Sequence, residues 1–187
     1  MDSARNRATY EDLLAVPEHK VAELVAGELH VSPRPAPAHA HATSVLGMDI
    51  GSAYQRGRGG PGGWWIVDEP ELHLGDNVLV PDIAGWRVER LPEMPQAAFF
   101  EIAPHWVCEV ISPSTARLDR SRKLPAYARE SIQHAWLLDP IQRTLEVFEN
   151  RQHEWTLIAT HAGDENFQAK PFQEVEFELS ALWIKAR

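Results

Sequence analysis

Residues 105–140, HWVCEVISPSTARLDRSRKLPAYARESIQHAWLLDP, decide how this chain is read. The first seven, His105 to Ile111, are a nearly continuous apolar run, the pattern of a strand buried on both faces. Ser112-Pro113-Ser114 breaks the run. Arg117 to Glu130 then reads as a polar, basic helix, with Pro125 near a helix start or at a kink. Ala135 to Leu138 is a second buried strand, ended by Asp139-Pro140. Glu109 is out of place in the first strand, where two-residue periodicity puts it on the face of Val107 and Ile111. An ionised carboxylate with no partner is costly there, so it must be paired, hydrogen-bonded or metal-bound.

A second acid has the same problem. Glu71 to Leu74 and Val78 to Val88 read as a hairpin turning at Gly75-Asp76-Asn77. Asp82 lies in its return strand, on the face of Val80 and Ala84. If the two strands are neighbours, Asp82 and Glu109 converge on one cation, and all-oxygen ligands favour Mg²⁺ or Mn²⁺ over zinc. The competing reading gives each acid a sheet-edge place or a private arginine. Arg117, Arg120, Arg122, Lys123 and Arg129 stand against Asp119 alone, a charge of +4 in thirteen residues that leaves the rest of the chain at -13. A phosphodiester substrate needs such local neutralisation. The alternative for the basic run is a solvated helix face.

The remaining segments complete an α/β pattern with a mixed sheet, because helices fall both before and between strands. Thr9 to Leu14 is a short capped helix. Val21 to Ser32 forms two strands turning at Gly27. Pro33, Pro35 and Pro37 make an extended connector, and His39 to Tyr54 has helical spacing. Arg56 to Gly63 is a glycine loop, Trp64 to Val67 a strand, and Leu91 to Pro104 a loop. Thr144 to Phe148, Trp155 to Thr160 and Val175 to Leu179 alternate as strands.

With 187 residues, 44% hydrophobic and 24% charged, the chain is expected to form one globular domain over 1–187. No run approaches the roughly 20 apolar residues of a membrane span, and Met1 to Tyr10 is polar with no leader-like stretch. The lone Cys108 excludes an internal disulfide and fits a reducing cytoplasm. A net charge of -9 argues against coating nucleic acid non-specifically, but leaves room for one local patch.

Several strings together resemble a known family: Pro81-Asp82, Cys108 to Ser114, Asp119 to Ala128 with its KLPAYA, and Trp136 to Pro140. They are similar to the Uma-two family, a branch of the PD-(D/E)XK, restriction-endonuclease-like superfamily described as a domain of unknown function. The similarity runs from about Tyr10 to Trp183. The Gly27-Glu28-Leu29 turn and a histidine after the connector, His39 or His41, also fit the pattern. The resemblance implies a mixed central sheet flanked by helices, with an N-terminal helix and hairpin and a C-terminal β-rich extension. It makes Asp82 and Glu109 metal ligands for Mg²⁺ or Mn²⁺, Lys123 the catalytic lysine, and Glu28 an accessory acid. The superfamily lysine normally follows two residues after the second acid, where this chain has Ile111, so the role moves to Lys123. Ser131 stands where relatives usually show glycine. The expected activity is metal-dependent hydrolysis of phosphodiester bonds in DNA. A homodimer is expected, since two symmetric sites cut two strands most simply. The alternatives are a catalytically silent binding or assembly module on the same fold, and a metal hydrolase of small phosphoesters.

Other features read as structural. His39-Ala40-His41 lacks the further ligands of a zinc site and suits a helix entry near the cleft. Cys108 is a small core residue. Tyr127 shares a helix face with Lys123 and is read as packing under the site, with a hydrogen bond to a phosphate as the alternative. Trp86, Trp106 and Trp136 belong to core strands rather than to base stacking; the loop at Arg56 to Gly63 lacks the ending of a phosphate-binding P-loop, but its Arg56 and Arg58 are placed to approach a nucleic-acid backbone.

Overall fold

The structure, a computed structural model, describes residues 7–184. Residues 1–6 of the polar stretch read at Met1–Tyr10, and the last three residues of the 1–187 span, lie outside the described residues. The chain opens with α1 (Tyr10–Leu14), closed by a capping box between Thr9 and Asp12. A hairpin of β1 (Val21–Val25) and β2 (Glu28–Ser32) follows. Ala26 and Gly27 both take positive φ at its turn, as a two-residue hairpin requires. Helix α2 (Pro37–Ile50) runs into a π-helical turn, Gly51–Gln55. Pro37 therefore starts the helix instead of extending the connector, because its missing N–H costs nothing in the first turn.

The central sheet has six strands in the order β10 (Glu154–Ala162), β9 (Thr144–Arg151), β8 (His134–Asp139), β7 (Trp106–Val110), β6 (Ile83–Arg87) and β3 (Trp64–Asp68). Only β7 and β8 are parallel, so the sheet is mixed. Their helical crossover begins with α3 (Ala116–Leu118), widens into a π-helical turn at Asp119–Lys123, and ends with α4 (Leu124–Arg129). The N–H of Leu124 donates to the carbonyl of Asp119, five residues back. This wider turn makes room for Pro125, whose ring would crowd the carbonyl four residues before it in a regular helix.

The expected hairpin strand Val78 to Val88 is two strands in two sheets. β4 (Leu72–Leu74) and β5 (Asn77–Leu79) form the hairpin and extend β1 and β2 into a four-stranded antiparallel sheet. After Val80-Pro81-Asp82 the chain enters β6 of the central sheet. Pro81 cannot donate to a ladder, which is where the strand breaks. Asp82 thus stands at the junction of the two sheets rather than within a strand. At the C-terminus, the strand read at Val175 to Leu179 shrinks to β12 (Phe177–Glu178), paired with β11 (Asn166–Phe167) and followed by a 3₁₀ turn at Leu179–Leu182.

β7 is buried on both faces, as its sequence requires. Trp106, Cys108 and Val110 pack with Leu46, Ile50 and Tyr54 from α2 and its π turn. Val107 and Ile111 pack with Leu124, Ala126 and Tyr127 from the crossover. Strand alternation therefore aims Glu109 at the crossover helix. Trp86, Trp106 and Trp136 are fully buried, and Cys108 is a free thiol in the core whose ionisation burial opposes strongly. Among the described residues no helix is long and apolar enough to cross a membrane.

Candidate active site

β6 and β7 are antiparallel neighbours, with Ile83 opposite Cys108. Continuing that register by one residue puts Asp82 beside Glu109. One Asp82 oxygen, Oδ2, accepts the N–H of Val110 at 2.6 Å. The other, Oδ1, lies 3.2 Å from His39 Nε2. Asp82 is thus fixed from both sides, by a β7 amide and by the first turn of α2.

Glu109 and Lys123 form the centre of the site. The Lys123 ammonium lies 2.8 and 2.9 Å from the two Glu109 oxygens, 2.9 Å from Glu23 Oε1 and 3.1 Å from the Val80 carbonyl. Asp119, one helical turn before it, is 3.9 Å away. Glu23 Oε1 also accepts the Val80 N–H at 2.7 Å. Tyr127 donates its hydroxyl to Glu109 Oε1 at 2.5 Å. Packing alone is therefore not the role of Tyr127, which completes the shell of the buried acid.

The electrostatics follow from burial against pairing. Burial works against the charge of Lys123, but Glu109, Glu23, Asp119 and Asp82 outweigh it and hold the ammonium protonated well above its ordinary range. Burial pushes Glu109 up; Lys123 pulls it down, and the carboxylates of Asp119, Asp82 and Glu23 add to the rise. Burial likewise lifts Asp119 to about 6 against the pull of Lys123. His39 loses charge stability to burial but gains more from Asp82, and its net shift is upward. Four carboxylates thus face one ammonium, and a fifth, Glu69, also lines the cleft of about 270 Å³. Arg34 of the proline connector and the hydroxyls of Ser112, Ser114 and Thr115 line its mouth.

The surplus of carboxylate over ammonium is the observation that fits a divalent cation. Among the described residues no three His, Cys, Asp or Glu side chains form a ready cage. A hard cation of the Mg²⁺ type does not require one, because it is commonly held by one or two carboxylates plus water and substrate oxygens. The donor set here is of that kind, with Asp82 and Glu109 side by side and no thiolate facing the cleft.

Of the four residues expected in the site, the structure brings together Asp82, Glu109 and Lys123. Glu28 stands elsewhere: it begins β2 opposite Val25, is nearly half exposed, and lies 3.7 Å from Arg122. The acid that the N-terminal hairpin sends into the cleft is Glu23. It carried the same signal as Glu109, a carboxylate inside an apolar strand (VAELV). Asp119 was legible as the acid four residues before Lys123 on one helix face. The rest of the basic run is a solvated face, since Arg120 pairs with Glu146, Arg122 with Glu28, and Arg117 and Arg129 are exposed. His39 and His41 diverge, His39 toward Asp82 and His41 toward the carbonyl of Ala181.

No curated protein matches this chain. Solved structures with the same fold include one described as "Crystal structure of a putative nuclease belonging to DUF820 from Anabaena variabilis ATCC 29413". It superposes with a TM-score of 0.76 at 24% identity, over 94% of this chain and 97% of that one. Residues 7–182 match the Uma2 family, described as "Putative restriction endonuclease", and the chain belongs to that family.

Proposed function

We propose that this chain, as one domain over 1–187, is a metal-dependent endonuclease that hydrolyses phosphodiester bonds in DNA. The observation that carries the reading is the Lys123 ammonium locked between Glu109 and Glu23 beneath a cleft that Asp82 lines. Asp82 and Glu109 would hold Mg²⁺ or Mn²⁺. Such an ion supplies polarisation of a phosphate oxygen and acidification of a bound water. Lys123 provides a fixed positive charge for the phosphoryl oxygens or for the attacking water, a task suited to a compact ammonium. Glu23 and the Val80 carbonyl hold that ammonium in place, and His39 and the Val110 amide orient Asp82. Arg34 also lines the cleft, 3.7 Å from Glu69.

Family membership and the acid–lysine cluster support this reading. Its metal, its DNA substrate, a homodimeric state and a cytoplasmic location are parts of the proposal. Calorimetric titration with Mg²⁺ and Mn²⁺, run beside plasmid nicking, tests it. The parent should bind one of the ions and cut, while Asp82→Asn and Glu109→Gln should lose cutting by at least about a thousandfold, on the order of several kcal/mol of transition-state stabilisation. Variants that cut like the parent would place the chemistry elsewhere. One observation favours the silent module: both Glu109 oxygens already carry partners. Absence of both ion binding and nicking would favour that reading. Light scattering that gives a monomer would remove the dimer.

A further inference from the structure

The cleft does not end at Asp82. A second depression, of about 230 Å³, shares Pro35, His39, Glu69 and Asp82 with it and runs on to Ser44 and Asp68. Ser44 and Asp68 in turn open a third, of about 650 Å³, bounded by Gln55, Arg56 and Arg58. The three form one groove along α2 and its π turn, from His39 to Gln55. At 1.5 Å of rise per residue that is roughly 24 Å, or about seven nucleotide steps of a DNA strand at 3.4 Å of axis each.

Charge is distributed unevenly along it. Asp68 and Glu69 stand near the cleft, and burial pushes the Asp68 carboxyl up. Arg56 and Arg58 stand at the far end, both exposed, and among the described residues neither makes an ion pair. Arg120 and Arg122 on the crossover, by contrast, are already paired with Glu146 and Glu28. Two unengaged guanidinium groups at the end of a groove continuous with the cleft are suited to phosphate oxygens. The glycines at 57, 59, 62 and 63 take positive φ and hold the loop that carries Arg58.

We infer that this groove seats the DNA strand that the cleft cuts, with Arg56 and Arg58 holding phosphates several nucleotides from the scissile bond. This rests on the nuclease reading and extends it to a strand track with a direction. Two full-length variants test it. Arg56→Gln/Arg58→Gln removes both charges from exposed positions. Ser44→Trp places a large side chain at the exposed junction of the second and third depressions. Each is compared with the parent on a long DNA duplex and on bis(p-nitrophenyl) phosphate, which is too small to reach beyond the cleft. The duplex-to-small-ester ratio of kcat/KM should fall about tenfold or more in each. For the arginine variant, the slope of log affinity against log salt should shrink by about 1.8, two contacts at roughly 0.9 each. A parent that cuts DNA, with variants whose ratio and salt slope are unchanged, overturns the track alone. A parent that neither binds nor cuts DNA overturns the track and the nuclease reading together.

Discussion

A lysine buried to within a few per cent survives only because its charge is answered several times over, and each answer has a different job. Glu109 meets the ammonium with both oxygens and is held also by Tyr127. Glu23 touches both the ammonium and the Val80 amide, so it couples the position of Lys123 to the segment that delivers Asp82. In the proposed mechanism it acts through Lys123, as a positioning residue. Glu23→Gln keeps an acceptor for the Val80 N–H but removes one of the charges that hold the ammonium. Partners of this kind are typically worth about 10- to 100-fold in activity. We expect kcat on duplex DNA to fall by that amount with KM unchanged and the fold retained. A rise in KM with kcat unchanged would assign Glu23 to substrate binding instead. Lys123→Met should abolish cutting and also leave Glu109 and Glu23 without their shared cation, so its effect on stability must be measured beside its effect on rate.

At the level of elements, the crossover between β7 and β8 shows how much of the site the sequence could carry. The apolar run of β7, the basic helix and the apolar β8 were legible because burial on both faces leaves a continuous pattern. That Lys123 belongs with Glu109 is an implication of the family resemblance; in the structure, strand alternation turns Glu109 toward the crossover that carries Lys123. Glu23 was not placed, because its sheet reaches the cleft through β5 and the turn at Val80-Pro81-Asp82, a long-range packing that no local period encodes. The split of Val78 to Val88 is hidden for the same reason: the local pattern puts Pro81 inside one strand, whereas in the structure it ends one sheet and begins another. Ser131 departs from the family pattern, and the structure gives its cost. It follows α4 with φ near +60°, a left-handed conformation, and its N–H donates to the Ala128 carbonyl as the helix closes. A non-glycine residue there is strained by roughly 1–2 kcal/mol, part of which glycine returns as unfolded-chain entropy. Ser131→Gly should therefore stabilise the protein by about 0.5–1 kcal/mol in urea unfolding. A variant less stable than its parent would show that the strain is not stored at this turn.

Over the whole molecule, the buried carboxylates of the cleft stand at one end of the central strands, while His105 and His134 stand at the other end of β7 and β8. Burial, aided by Arg90 and Arg87, lowers His105 to about 4. Burial also lowers His134 to about 4, against the pull of Glu149. His105 has a further reason to stay neutral, because its Nδ1 accepts the Arg87 N–H at 3.2 Å and cannot do so once protonated. Between pH 6.5 and about 4 the unfolded chain therefore binds more protons at His105 than the folded one does. Stability from this group is fully present above pH 6.5 and is lost as pH falls toward 4, by up to about 3 kcal/mol at 1.36 kcal/mol per unit. Asp119, raised to about 6, acts in the opposite sense over part of the same window: the folded state holds its proton longer, so stability from it declines as pH rises from 3.8 to 6. The net profile of the parent mixes both, and a single-site comparison separates them. His105→Asn keeps an oxygen acceptor near the place of Nδ1 but has no proton to gain. Denaturant unfolding at pH 6.5 and 4.5 should show the parent losing more stability than the variant, by about 1–2 kcal/mol. Equal losses in the two proteins would mean that His105 is already free to titrate in the folded state.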